Sequence, residues 1–142
     1  MDQSTLSVAD VMTHDVATVG WNEKLLVADD VMRLGRIRHL PALNEDGELV
    51  GILTQRDLFH SGVIKALGYG TNATRKALDM LVVKEAMTSA VLTTTPETPL
   101  REAAELMLSR KIGCLPVLQA GKLVGILTES DFVALVARPG PK

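Results

Sequence analysis

Two rhythms of apolar and polar residues run along this chain, and both recur about 75 residues later. The first is helical: Leu25, Ala28, Val31 and Met32 line one face of Lys24–Leu34, and Leu100, Ala103 and Met107 line one face of Leu100–Ser109. Pro99 suits the start of the second helix, where its missing N–H costs nothing. The second rhythm is that of paired strands. His39–Leu43 and Glu48–Thr54 flank Asp46-Gly47, and Cys114–Leu118 and Lys122–Thr128 flank Ala120-Gly121. Asp-Gly is a hairpin signal because glycine accepts the positive φ of the turn. Short strands at Val16–Val19 and Val91–Thr94 precede the helices, and further helices start at Gln55 and Glu129.

Each copy therefore reads β-α-β-β-α over about 50–60 residues, too few to bury a comfortable core alone. The expected fold is α+β: two such units related by a pseudo-twofold axis, their sheets packed on a shared core that buries Val50, Ile52, Val124 and Ile126. Residues 1–67 form the first unit, 68–82 a linker helix and 83–142 the second unit. Gly68-Tyr69-Gly70 breaks the chain, and Thr71 or Asn72 caps the linker helix, which runs through Met80.

The repeat is also literal. LVGILTQRDLF at Leu49–Phe59 returns as LVGILTESDFV at Leu123–Val133, Met12-Thr13 as Met87-Thr88, and Leu40-Pro41 as Leu115-Pro116. One residue is missing from the second copy, at the hairpin turn. Both copies carry Thr-x-x-Asp, at Thr54–Asp57 and Thr128–Asp131. As structure, this is a helix cap: the Thr oxygen takes a free N–H of the first turn and the acid suits the positive end of the dipole. As chemistry, free N–H groups at a helix start attract anions, and a carboxylate there can accept both hydroxyls of a ribose. The two roles are compatible.

Composition narrows the functions open to such a molecule. The 142 residues are 46% hydrophobic and 23% charged, ordinary for a soluble globular protein. A net charge of -2 and 3% aromatic residues argue against a general binder of nucleic acid or of anionic membranes. Cys114 is the only cysteine, so no intrachain disulfide forms and a reducing compartment fits. No apolar run nears the roughly 20 residues of a membrane span, and the polar, acidic start MDQSTLSVAD has no signal-peptide pattern. The reading is a cytoplasmic protein. His14, His39 and His60 are scattered without metal-ligand spacing, no Gly-x-Ser-x-Gly elbow occurs, and no nucleophile or acid–base pair emerges, so an enzyme ranks last. Met12, Met32, Met80, Met87 and Met107 read as core and interface filler, and Trp21, where the second copy has Pro96, packs either locally or on a partner.

The segments VMT…RHLPALNEDGELVGILTQRDL and AMT…GCLPVLQAGKLVGILTESDF together resemble a pair of cystathionine-β-synthase (CBS) domains, the Bateman module, over roughly Val8 to Val136. The resemblance implies a regulatory module that binds an adenosine-containing ligand in a cleft between the repeats, the Asp holding the ribose with the Thr beside it. It also implies crosswise pockets. One takes Thr128, Ser130 and Asp131 with Thr18, Ile37, Arg38 and His39; the other takes Thr54, Arg56 and Asp57 with Thr93, Ile112, Gly113 and Cys114. Because Arg38 and His39 stand where the second copy has Gly113 and Cys114, the Asp131 pocket is expected to take a phosphorylated ligand first.

The expected function is thus a stand-alone regulatory module for AMP, ADP, ATP or S-adenosylmethionine. It needs no cofactor or metal and serves an enzyme or transporter. The alternative is a dimeric interaction module with empty or vestigial clefts. The resemblance further implies a homodimer formed through helices, with Leu58, Phe59, Val63 and Leu67 from one copy and Phe132, Val133, Leu135 and Val136 from the other as the apolar seams.

Overall fold

The computed structural model describes residues 5–65 and 71–138, without the side chains of 62–65 and 71–72. The Gly68-Tyr69-Gly70 break and the side chains of Val63 and Leu67 lie outside the described residues. In chain order the elements are α1 (Val8–Val11), β1 (Val19–Gly20), α2 (Leu25–Gly35), β2 (His39–Leu43), β3 (Leu49–Thr54), α3 (Gln55–Lys65), α4 (Thr71–Met80), a 3₁₀ turn at Val83–Glu85, α5 (Leu100–Arg110), β4 (Cys114–Gln119), β5 (Lys122–Thr128) and α6 (Glu129–Ala137). The fold is mixed α+β, with the repeat visible as α2-β2-β3-α3 and α5-β4-β5-α6.

Packing does not follow the order of the repeats. A middle unit comprises Ala17–Val91, and an N/C unit joins Met1–Val16 to Leu92–Lys142. In the middle unit, β2 lies between β1, which it pairs in parallel, and β3, which it pairs antiparallel. Leu25, Ala28 and Met32 of α2 pack with Leu40, Leu53, Leu58 and Val83 in its core. Helix α4 belongs here too: Leu78 is buried in this core, and Lys24–Asp79 and Arg75–Asp29 ion pairs tie α4 to the start and middle of α2. In the N/C unit, β4 and β5 pair antiparallel, and Leu100, Ala103 and Met107 of α5 pack with Leu115, Val117, Leu127 and Leu135. The N-terminal Leu6, Val8, Val11 and Met12 complete that core.

Several expectations need correction. The first strand of the first copy shrinks to Val19–Gly20. Its counterpart at Val91–Thr94 is a single parallel bridge, Thr94 to Val117. Thr94 N–H donates to Pro116 O at 3.0 Å and Thr94 O accepts from Leu118 at 2.9 Å. Pro96 follows and has no N–H with which to extend the ladder. Ile52 and Ile126 are buried, but Val50 and Val124 are only half-buried on the flank of each core. Leu58 and Leu135 point into the cores rather than to the surface, and Phe132 is half-buried. Met80 ends α4 exposed, whereas Met12, Met32 and Met107 are buried. Trp21 packs locally: its Nε1 donates to Glu45 Oε1 at 3.1 Å, and Lys84 Nζ lies 5.4 Å from the ring centroid. Hydrogen bonds from its own backbone and from Trp21 hold the Glu45 carboxyl below the usual carboxylate range. Among the described residues no helix is long and apolar enough to cross a membrane, and no group of three or more His, Cys, Asp or Glu could hold a metal.

Candidate functional site

Each repeat brings three parts of the repeated line to one end of its own hairpin. In the middle unit β2 starts opposite the end of β3, His39 pairing with Thr54, and the first N–H of α3, at Gln55, donates to Arg38 O at 2.9 Å. In the N/C unit Cys114 pairs with Thr128, and Glu129 N–H donates to Gly113 O at 3.2 Å. Ile37 and Ile112 enter the same ends through helix stops of one design. Arg36 and Lys111 adopt the left-handed conformation at φ 53° and 54°. The next N–H reaches back to Met32 O at 3.0 Å and to Met107 O at 3.1 Å. Arg36-Ile37-Arg38-His39 is thus held beside Thr54, and Lys111-Ile112-Gly113-Cys114 beside Thr128.

The glycine of LVGILT is explained by the Met-Thr that precedes each repeat. Thr13 exchanges two backbone hydrogen bonds with Ile126, at 2.9 and 3.0 Å, and Thr88 exchanges two with Ile52, at 2.9 Å each. The Met-Thr segment therefore lies across the strand. A Cβ on Gly125 would stand 2.6 Å from Met12 Sδ and 3.0 Å from Thr13 O; one on Gly51 would strike Met87 and lie 3.0 Å from Thr88 O. A glycine in mid-strand opposite a repeated Met-Thr was the sequence signal for this crossing.

Both Thr-x-x-Asp motifs form capping boxes on their helices, and the one at α6 carries further side-chain contacts. At α3 the box is reciprocal: Asp57 Oδ2 accepts Thr54 N–H at 2.9 Å, and Thr54 Oγ1 accepts Asp57 N–H at 3.1 Å. At α6 Asp131 Oδ2 accepts Thr128 N–H at 2.8 Å, while Thr128 Oγ1 lies 3.3 Å from the same oxygen and 2.9 Å from Ser130 Oγ. Asp131 Oδ1 also accepts the Thr13 hydroxyl at 2.8 Å. Asp131 is buried, at 3% exposure, whereas Asp57 is half-buried.

The remaining expected residues lie as follows. Thr18 and Arg56 are exposed on the middle unit, as is Arg38, and neither arginine has an ion-pair partner among the described residues. His39 and Ile37 are half-buried. On the N/C unit Thr93 and Ser130 are exposed, Ile112 and Gly113 half-buried and Cys114 buried. Burial pushes the Cys114 thiol up to about 12, so it stays protonated near neutrality and is no nucleophile there. Ile112 and Gly113 line a cleft of about 610 Å³ with Lys111, Glu129, Phe132 and Val133. Thr13 was missed as a candidate, and its pairing with Asp131, 118 positions away, has no local signature.

A family model for the CBS domain matches residues 8–63 and 83–138. A homoserine O-acetyltransferase of Methanococcoides burtonii is 37% identical over 131 residues, which are 92% of this chain but 24% of that protein. The chain thus spans about a quarter of the length of that curated relative. Among solved structures, CBSX2 in complex with AMP is 28% identical with a TM-score of 0.76, covering 94% of this chain and 97% of that one. The CBS domain pair of protein MJ0100, in complex with 5′-methylthioadenosine and S-adenosyl-L-methionine, is 29% identical with a TM-score of 0.73, covering 92% and 95%.

Proposed function

Because this chain belongs to the CBS domain family and carries two such domains, we propose that it is a regulatory module that binds an adenosine-containing ligand. AMP, ADP, ATP and S-adenosylmethionine are the candidates, with no further cofactor. The observation that carries the reading is the Thr-x-x-Asp present in both repeats, each at the start of a helix of at least nine residues. The half-buried Asp57 carboxylate supplies the acceptor that a ribose needs, and exposed Arg38 and Arg56 supply donors suited to phosphate. Similar chains solved with AMP and with S-adenosyl-L-methionine support the ligand class. The crosswise sets built on Asp57 and Asp131 are the proposed contacts. The module acts as a homodimer in the cytoplasm, on an enzyme or transporter whose activity it modulates, and performs no chemistry itself.

Thermal melting against AMP, ADP, ATP, S-adenosylmethionine and NADH tests the reading. A ligand at a hundredfold its Kd stabilises the folded state by about 2.7 kcal/mol, which raises the midpoint by several degrees. A flat response to the whole panel defeats ligand binding. It would favour a dimeric interaction module with vestigial clefts, a second reading that the buried and internally bonded Asp131 supports. Turnover of any panel member would make the protein an enzyme.

A further inference from the structure

The two acids occupy the same place in the repeated line, yet they are not equally available to a ligand. A carboxylate offers about four lone-pair positions. At Asp131 the Thr128 N–H and the Thr13 hydroxyl each take one at 2.8 Å, and the Thr128 hydroxyl approaches at 3.3 Å. Asp131 is also 3% exposed. At Asp57 the Thr54 N–H takes one position on Oδ2, and among the described residues nothing donates to Oδ1.

The backbone does not make this difference, since Thr13 and Thr88 are bonded alike to Ile126 and Ile52. The hydroxyl does. Thr13 turns its Oγ1 onto Asp131, while Thr88 is exposed and makes no such bond to Asp57 among the described residues. A ribose diol must donate two O–H groups to one carboxylate, which Asp57 can accept as it stands and Asp131 cannot.

We propose that Thr13 withholds the Asp131 carboxylate from a ribose diol, so that Asp57 holds the first equivalent of an adenosine ligand. This rests on the reading that such a ligand binds. It reverses the order that the charges of Arg38 and His39 alone would set, because those groups reach only a phosphate. The two Thr-x-x-Asp sites then differ in affinity through one hydroxyl that lies outside both motifs, and the module responds to its ligand in two steps.

Titration calorimetry of the full chain with AMP decides the matter. Loss of a hydrogen bond to a charged group weakens binding about ten- to a hundredfold. Asp57→Asn is expected to weaken the first equivalent by that factor, and Asp131→Asn to remove only the weaker, second one. Thr13→Val, which keeps the side-chain shape and removes the donor, is expected to tighten the second equivalent about tenfold, and Thr13→Ser to behave as wild type. Thr88→Val serves as the control and changes neither. Loss of the first equivalent in Asp131→Asn, or no gain in Thr13→Val, overturns the proposal while leaving ligand binding intact. If Thr13→Val does not fold, the order of loss in the two Asp variants decides alone. No heat from wild type with any adenosine ligand overturns the functional reading and this proposal with it.

Discussion

Gly51 and Gly125 are single residues on which a whole crossing depends. Each lets the carbonyl of a Met-Thr segment approach its strand to a distance that leaves a Cβ only 3.0 Å of room. The methionine could swing aside, because its three rotatable bonds adapt. The carbonyl cannot, because Thr13 and Thr88 are fixed by paired hydrogen bonds to Ile126 and Ile52. Gly51→Ala and Gly125→Ala are each expected to lower unfolding free energy by about 1–3 kcal/mol, the usual cost of forcing an extra methyl into a packed site. Urea denaturation measures it. Unchanged midpoints in both variants would mean that the Met-Thr segments do not lie across the strands. The same residues explain why the N-terminal segment packs with the second repeat: Met12-Thr13 fills at Gly125 the place that Met87-Thr88 fills at Gly51.

At the scale of elements, the hairpins show what one deleted residue does. The first hairpin turns through Asn44–Glu48, where Asn44 Oδ1 accepts both Asp46 N–H and Glu48 N–H at 3.0 Å. The second closes on Ala120 and Gly121 alone, at φ 52° and 79°. A two-residue turn with positive φ at both positions is the hairpin type that suits Asn-Gly. Alanine in the left-handed region costs about 1 kcal/mol or more. Ala120→Asn is therefore expected to stabilise the protein by about 0.5–1 kcal/mol, read as a higher thermal or urea midpoint. A lower midpoint would place the turn in another conformation. Helices and hairpins could be read from the letters because their signals are local: the spacing of Leu25, Ala28 and Met32, and the Gly at each turn. The first strands could not, because what stops the one near Thr94 is Pro96 and what sustains the other is its pairing with β2. The Thr-x-x-Asp caps were also local, and both are present. The Thr13–Asp131 bond and the transfer of Met1–Val16 to the second repeat join residues far apart in sequence, and a repeat alignment carries register but no packing.

For the whole molecule, the question is what its remaining apolar surface is for. Each core is filled by side chains that the helices turn inward, Leu58 in the middle unit and Leu135 in the N/C unit. Their neighbours turn outward: Phe59 is 71% exposed on one, and Leu108 and Val133 are 79% and 69% exposed on the other. Single exposed apolar residues are ordinary, but Phe59 and Val133 occupy equivalent places in the two repeats. Leu108 and Val133 also line the same cleft. That repetition favours a surface shaped for association over scattered exposure. A second copy of the chain is the proposed occupant, and it predicts a mass in solution of twice 15.3 kDa by light scattering at micromolar concentration. Phe59→Glu combined with Val133→Glu should shift the population to monomer, because a charge placed in an apolar interface loses its water without gaining a partner. These side chains contribute little to either core, so the monomeric variant should keep its far-ultraviolet circular dichroism. A wild-type protein of monomer mass under those conditions would remove the homodimer from the proposed function and leave the exposed helices to a different partner.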